Sequence, residues 1–143
     1  MKSYEISGKP VPWKRARRCG DRYFDSQVEI KDDMRSKIES IAKRSLSPSE
    51  TLKVKIWFIM PIPSSWSLKR QYEAIGTFHS SRPDVDNLLK MIGDTFNNIL
   101  WRDDAKIADM SGIKIYGLKP RTIIEVEDVE RDIYRDQAFK SGF

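Results

Sequence analysis

The chain has 143 residues, of which 39% are hydrophobic and 33% are charged, and it carries a net charge of +5 at neutral pH. This length suits one domain over residues 1–143, built on a single hydrophobic core. No apolar run approaches the roughly 18 residues that a membrane-spanning helix requires, and the N-terminus lacks the apolar segment of a signal peptide. We therefore expect a cytoplasmic protein.

The residue types also exclude one class of metal site. A single cysteine, Cys19, cannot form an intrachain disulfide, and with a single histidine it leaves too few ligands for zinc. A bound metal ion would therefore be held by oxygen atoms, which are the ligands that Mg²⁺ and Mn²⁺ prefer.

The first part of the chain combines two short strands with a basic loop. Residues 3–8 and 22–25 are the predicted strands, and the loop spans residues 9–21. Residues 1–18 have a net charge of +5, which equals that of the whole chain. Such a cluster favours a phosphate backbone as partner, although a solvated, partly mobile arm has the same composition. The DNA-binding candidates in the loop are Lys14, Arg15, Arg17 and Arg18.

An amphipathic helix and a strand come next. Between residues 27 and 45, apolar residues recur with helical spacing up to Ile41, and Pro48 follows. Residues 51–60 alternate apolar residues with polar ones, which predicts a strand with one face in the core and cations on the other.

Residues 61–83 are the least regular stretch of the sequence. A connection of this length within a compact domain is usually functional or mobile, so we expect a flexible flap or an element that contacts DNA. A short helix is predicted at residues 67–74, with Lys69 and Arg70 on a basic face. The lone histidine, His79, is either a surface residue of this loop or a catalytic group near Asp84.

The stretch at residues 82–104 carries the strongest periodic signal. Apolar residues at i, i+3, i+4, i+7, i+11 and i+14 predict the buried stripe of a helix that begins at Asp84. Helical geometry places Asp86, Lys90 and Asp94 together on the opposite face. The residues of the stripe are Val85, Leu88, Leu89, Ile92, Phe96 and Ile99.

The remaining residues complete the predicted fold. In residues 107–118 and in residues 121–127, apolar residues recur at alternate positions, and a turn separates the two segments. This pattern predicts an antiparallel hairpin. Residues 129–143 are charged and predict a peripheral tail. The order β(β)αβαββ indicates an α/β fold, in which a mixed β-sheet carries two helices packed on one face.

The acidic residues of the central stretch suggest a metal site. Asp84 and Asp86 can share one hard cation only if other oxygen atoms complete the coordination shell. Asp103 and Asp104 would supply them if the chain folds back towards the helix N-terminus. Each feature alone also has an ordinary explanation: Asp84 as a helix cap, the polar helix face as a ladder of ion pairs, and the aspartate pair as a polar turn.

The segments DVDNLLK at residues 84–90 and WRDDAKI at residues 101–107, with Asp94 between them, resemble the RusA-type Holliday junction resolvases. The resemblance is strongest over residues 82–109 and extends more loosely over most of the chain. The compound motif is specific, whereas a lone D-x-D would not be. The long, serine-rich segment before Asp84 is similar to that of phage and prophage members.

This resemblance implies a homodimeric, magnesium-dependent endonuclease that cuts four-way junctions by paired nicks in DNA recombination and repair. It implies the cytoplasm of a bacterium or of a phage-infected host, and Mn²⁺ as a substitute for Mg²⁺. The family's acidic metal ligands fall on Asp84, Asp86 and Asp104, with Asp103 as a further candidate, and its essential lysine falls on Lys90.

One region departs from the most basic members of that family. Only Arg82 is cationic between His79 and Asp84. The resemblance therefore does not identify the residues that bind the junction. Lys69, Arg70 and Arg82 are therefore added to the DNA-binding candidates of the basic loop.

Two other functions fit the same residues. A metal-dependent nuclease that acts on flaps or other branched DNA would need the same carboxylates. A non-catalytic DNA-binding module would need the basic loop, but it would leave the four aspartates and Lys90 without a purpose.

Overall fold

A mixed β-sheet with helices on one face is the framework of the protein. A computed structural model describes residues 1–42 and 46–142, and it describes side chains outside residues 39–42. The strands are β1 (Lys2–Ser7), β2 (Arg17–Cys19), β3 (Arg22–Phe24), β4 (Leu52–Pro61), β5 (Ile107–Gly117) and β6 (Arg121–Asp128). The helices are α1 (Val28–Ala42), α2 (Leu68–Ala74), α3 (Val85–Thr95) and α4 (Arg135–Ser141).

Four strands form the main sheet in the order β1-β6-β4-β5, while β2 and β3 form a separate two-stranded hairpin. The pair β4–β5 is parallel and the other pairs of the main sheet are antiparallel, which confirms the mixed sheet. The predicted hairpin of β5 with β6 is wrong, because β4 lies between them. Strand β4 suits this central place because it is strongly apolar. Its buried residues are Leu52, Val54, Ile56, Phe58, Ile59 and Met60.

The hydrophobic core lies between the sheet and two helices. Helix α1 packs against β1 and α3, and α3 packs against β5. Leu88, Ile92 and Phe96 of the predicted stripe are buried, whereas Val85 and Leu89 pack against the core while partly exposed. The expected packing of two helices on one face is thus confirmed. The last residues of the predicted first helix, 43–45, and the side chain of Ile41 lie outside the described residues.

Two isoleucines of β5, Ile113 and Ile115, face away from the helices. Gly112 pairs with the buried Ile56 of β4 and faces α3, so Ile113 and Ile115 lie on the opposite face, beside Trp57. Alternation in a sequence defines two faces of a strand, but it does not say which of them meets the helices.

The segment between β4 and α3 contains the predicted short helix and then follows the edge of β5. Helix α2 is capped by Ser67, whose side chain accepts a hydrogen bond from the Arg70 backbone. Beyond α2, the Gly76 backbone donates to Tyr116 at 2.8 Å and the Tyr116 backbone donates to Thr77 at 3.0 Å. Among the described residues, no helix combines the length and apolar composition needed to cross a membrane.

Candidate active site

The N-terminus of α3 is held tightly on β5. A Cβ atom on Gly112 would lie 2.9 Å from side-chain atoms of both Val85 and Leu89, so the glycine allows the helix to approach the strand closely. The Lys114 ammonium donates to the carbonyl oxygens of Ser81 and Pro83, each at 2.7 Å. These contacts fix the direction in which the chain enters the helix, and with it the place of its first acidic residues.

Asp84 and Asp86 are exposed at this helix start. Asp84 has the extended backbone of an N-cap residue, but its side chain makes no capping hydrogen bond. The ordinary explanation of Asp84, that its carboxylate caps the helix, is therefore wrong. Asp86 accepts a hydrogen bond from the backbone of Asn87 at 2.9 Å. The Asp84 carboxylate thus remains accessible to a ligand from solvent.

Helix α3 ends at Thr95, short of the predicted limit at Ile99. The Thr95 hydroxyl donates to the carbonyl oxygen of Met91 at 2.5 Å, and Asn98 adopts a left-handed backbone with φ 65°. Asparagine tolerates this conformation better than most residues. The chain therefore reverses direction early, and the fully buried Trp101 anchors the returning segment.

The returning segment brings Asp103 and Asp104 back to α3. Asp103 accepts a hydrogen bond from the Ala105 backbone at 3.1 Å and begins a short 3₁₀ turn, Asp104–Lys106. The Cβ atom of Asp104 lies 4.0 Å from the position that a Cβ on Gly93 would occupy. An open cavity at this point is lined by Leu89, Lys90, Gly93, Asp94, Asp104, Ile107 and Met110.

The pKa values of Asp103 and Asp104 are shifted in opposite directions. A hydrogen bond with Asp103, followed by burial and by the negative charges of Asp103 and Asp94, raises the pKa of Asp104 above its ordinary value. The pKa of Asp103 is lowered, first by the Ala105 backbone N–H and then by the hydrogen bond with Asp104. Crowded acidic groups of this kind are stabilised by a nearby cation.

The two acidic groups, Asp84 with Asp86 and Asp103 with Asp104, lie too far apart in this structure to share one ion. Asp104 lies beside Gly93, which is about 10 Å further along the helix axis than Asp86 at a rise of 1.5 Å per residue. Within the described parts of the chain, no three Asp, Glu, His or Cys residues are grouped to hold a metal. The donor chemistry suits Mg²⁺, and the chain does fold back, but it reaches the last turn of α3. The expected return of Asp104 to the helix N-terminus is not observed.

Lys90 is exposed between these two acidic groups, and its ammonium lies 3.6 Å from the centre of the Trp13 ring. None of the ion pairs among the described residues joins Lys90 to Asp86 or Asp94. The ladder of ion pairs along α3 is therefore not observed. Sequence reasoning missed the contact of Trp13 with Lys90. The available signal was the presence of an aromatic residue within the basic loop.

All seven predicted DNA-binding side chains are exposed. Arg17 and Arg18 lie on β2, where Arg18 donates to the Gly20 carbonyl at 2.9 Å and pairs with Asp21 at 3.8 Å. On α2, the guanidinium of Arg70 lies 3.7 Å from the Trp66 ring centre. The complete set is Lys14, Arg15, Arg17, Arg18, Lys69, Arg70 and Arg82.

The structure places His79 against Tyr116, with ring centroids 4.8 Å apart. Its Nδ1 atom is buried without a hydrogen-bond partner. Burial, followed by the positive charge of Lys114, lowers the pKa of His79. The imidazole is therefore expected to be neutral at neutral pH.

Comparison with known proteins adds one family and one relative. Residues 7–127 match the family described as "Endodeoxyribonuclease RusA". The chain is 25% identical over 138 residues to "Uncharacterized protein YqaN" of Bacillus subtilis (strain 168), and the alignment covers 88% of this chain and 95% of the relative. The matched segment includes both acidic groups, Lys90 and every DNA-binding candidate.

Proposed function

The protein belongs to the RusA endodeoxyribonuclease family, and from this we propose that it is a magnesium-dependent endonuclease that resolves four-way DNA junctions. It would cut two opposed strands by paired, symmetric nicks and thereby act in DNA recombination and repair. The observation that carries this proposal is the exposed polar face of α3, to which the chain returns Asp104 beside Lys90. A cytoplasmic location, in a bacterium or a phage-infected host, belongs to the same proposal.

Asp84, Asp86 and Asp104 are the proposed magnesium ligands, with Asp103 as a further candidate. Their oxygen donors suit Mg²⁺, and Mn²⁺ has similar preferences. Once bound, the ion would polarise a scissile phosphate oxygen and lower the pKa of an attacking water. Because Asp104 is separated from Asp86 along α3, we expect the exposed residues 102–105 to close towards the helix N-terminus when DNA and cation bind.

Lys90 has a separate role in the proposed reaction. In-line attack increases the negative charge around phosphorus, and a preorganised ammonium stabilises that charge. Lys90 suits this role because it is exposed between the two acidic groups and pairs with neither flanking aspartate on α3. The N–H donors of Lys90 that point away from the Trp13 ring can therefore reach phosphate oxygens.

The basic residues would hold the junction through its phosphates. Contacts of lysine and arginine with phosphates position DNA without reading its sequence. A homodimer would place two active sites around a two-fold axis, which matches the approximate symmetry of a four-way junction.

The test is cleavage of matched substrates by the purified full-length chain. An immobile four-way junction, a flap and a linear duplex are compared in Mg²⁺, in Mn²⁺ and in excess chelator. We expect paired nicks in the junction that require the metal ion. Preferred cleavage of the flap would assign the chain to the alternative nuclease class, and no metal-dependent cleavage of any substrate would contradict an enzymatic role.

A further inference from the structure

Lys90 makes an aromatic contact where ion pairs were available. On a helix, Asp86 and Asp94 are its neighbours at i−4 and i+4, the spacing at which opposite charges meet. The Lys90 ammonium nevertheless lies 3.6 Å from the centre of the Trp13 ring. This is well within the range of about 6 Å over which a cation is attracted to an aromatic face.

Trp13 is itself held in place by its backbone and by its neighbours. The backbone N–H of Trp13 donates to the Asn87 carbonyl of α3 at 2.9 Å, which attaches the loop to the helix that carries Lys90. Gln27, which is only 2% exposed, donates to the Pro12 carbonyl at 2.8 Å and accepts from the Lys14 backbone at 2.8 Å. Three consecutive loop residues are therefore fixed by hydrogen bonds.

The ring is also supported by packing, because Trp13 contacts the hydrophobic core. The position of Trp13 therefore depends on this packing and on its backbone hydrogen bond as well as on the lysine. This separates the pair from a chance contact of two flexible surface side chains, whose geometry would carry an entropic penalty.

We propose that Trp13 is a positioning residue that keeps the ammonium of Lys90 available to the substrate phosphate. This inference rests on the proposed function, in which Lys90 stabilises charge that develops at phosphorus. An ion pair with Asp86 or Asp94 would occupy N–H donors of the lysine and neutralise a carboxylate next to the site. An aromatic face attracts the ammonium through its quadrupole and leaves the N–H groups that point away from the ring available for phosphate oxygens.

The connection also links DNA binding with catalysis. Trp13 directly precedes Lys14 and Arg15, two of the residues proposed to contact phosphates. A junction bound by this loop would therefore meet a lysine that the same loop has already oriented. Preorganisation of this kind lowers the barrier because the charge is in place before the reaction begins.

The first test replaces Trp13 by leucine and by phenylalanine in the full-length chain. Leucine keeps apolar contact but has no aromatic face, whereas phenylalanine keeps both. We expect Trp13→Leu to lower kcat for junction cleavage about tenfold, which equals about 1.4 kcal/mol at 25 °C, with little change in KM. Trp13→Phe should restore most of that loss. Thermal unfolding of both variants is measured, and Trp13→Met replaces the leucine variant if leucine lowers the Tm.

A matched control removes a similar contact elsewhere. The Lys55 ammonium lies 4.7 Å from the Trp57 ring centre, on the sheet face opposite α3. Trp57→Leu should therefore leave kcat at the parental value. A tenfold loss in this control as well would mean that tryptophan removal acts through general stability, and it would overturn the positioning role.

The second test combines Trp13→Leu with Lys90→Ala. If Trp13 acts through Lys90, Trp13→Leu should cause no further loss in the alanine variant, since coupled residues are not additive. An equal loss in both backgrounds would overturn the inference. A parental rate for Lys90→Ala would instead overturn the catalytic role of Lys90, and the inference with it. A slow Lys90→Ala with a normal Trp13→Leu would overturn the positioning role alone.

A readout without substrate measures the contact directly. Lysine side chains labelled with ¹³C at the ε position are observed by NMR, and Lys90→Arg identifies the signal of Lys90. The ring current of Trp13 should displace the ε protons of Lys90 upfield, and Trp13→Leu should remove this displacement. A Lys90 signal that is unaffected by Trp13→Leu would contradict the contact on which the inference depends.

Discussion

The acidic residues of α3 and the basic residues of the loops differ in how firmly the fold holds them. Asp84 and Asp86 begin a helix that is pressed against β5 through Gly112. The basic candidates occupy exposed positions, several of them on the separate β2–β3 hairpin or on the seven-residue α2. Chemistry at a phosphate needs accurate placement, whereas a grip on the DNA backbone tolerates variation. The two regions should therefore be separable by mutation.

The largest effect is expected from removing one carboxylate charge at the site. Asp84→Asn and Asp104→Asn keep the shape of the side chain, and we expect junction cleavage to fall about 100- to 1,000-fold. Junction binding should persist, because the basic loops are intact. Cleavage is measured under single-turnover conditions and binding by a gel-shift assay in Ca²⁺.

Asp109→Asn is the matched control for these variants. Asp109 is the register partner of Lys53 in the β4–β5 pair, and it is exposed on the sheet face away from α3. It should cleave at the parental rate. Parental cleavage by Asp84→Asn and Asp104→Asn would show that these carboxylates belong to a polar surface and not to the site.

Lys90→Ala should come next, with a fall in kcat of about 100-fold. The side chain is exposed, so the free energy of unfolding should change little. Single-turnover cleavage and urea unfolding are measured on the same preparation. A parental rate would show that Lys90 is a surface residue of α3 without a catalytic role.

Gly112→Val tests whether the close approach of α3 to β5 sustains the site. Added methyl groups would collide with Val85 and Leu89, and overpacking of this kind destabilises proteins by about 1–3 kcal/mol. Cleavage should decrease because the start of α3 is displaced. Ser111→Val, at an exposed position next along the strand, is the control. Equal stability of the two variants by thermal unfolding would contradict the tight contact.

The smallest effect on the chemical step is expected from the basic hairpin. Arg17→Ala and Arg18→Ala should weaken junction binding while single-turnover cleavage at saturating enzyme stays unchanged. The dependence of log K on log salt should lose about 0.9 in slope for each phosphate contact removed. Binding is measured by fluorescence anisotropy over a salt series. A large fall in the saturated cleavage rate would break the separation between the two regions.

The sequence predicted the local elements better than their long-range arrangement. The spacing of Leu88, Ile92 and Phe96 correctly indicated a buried helical stripe, because periodicity reflects local geometry. The place of β4 between β5 and β6 could not be inferred, since pairing across the sheet depends on contacts distant in sequence. The hairpin prediction followed the short turn alone, which can also span two strand spacings of about 4.8 Å each.

The candidate active site was likewise predicted better in its local elements than in their arrangement. Paired aspartates after the helix indicated a return of the chain, but the point of return depends on where the helix ends. That end is set at Thr95 and by the left-handed Asn98, neither of which interrupts the apolar spacing. The contact between Trp13 and Lys90 joins two segments far apart in the sequence, so neither segment alone could reveal it. Asp84 met the sequence rule for a helix cap, yet its side chain makes no such bond.

The most direct measurement of the central claim is metal-dependent cleavage of an immobile four-way junction by the parent chain and by Asp104→Asn. We predict paired, symmetric nicks by the parent in Mg²⁺, their loss in chelator, and loss of cleavage with retained junction binding for Asp104→Asn. Metal-independent cleavage by the parent, or parental cleavage by Asp104→Asn, would contradict a magnesium site built from α3 and the segment that returns to it.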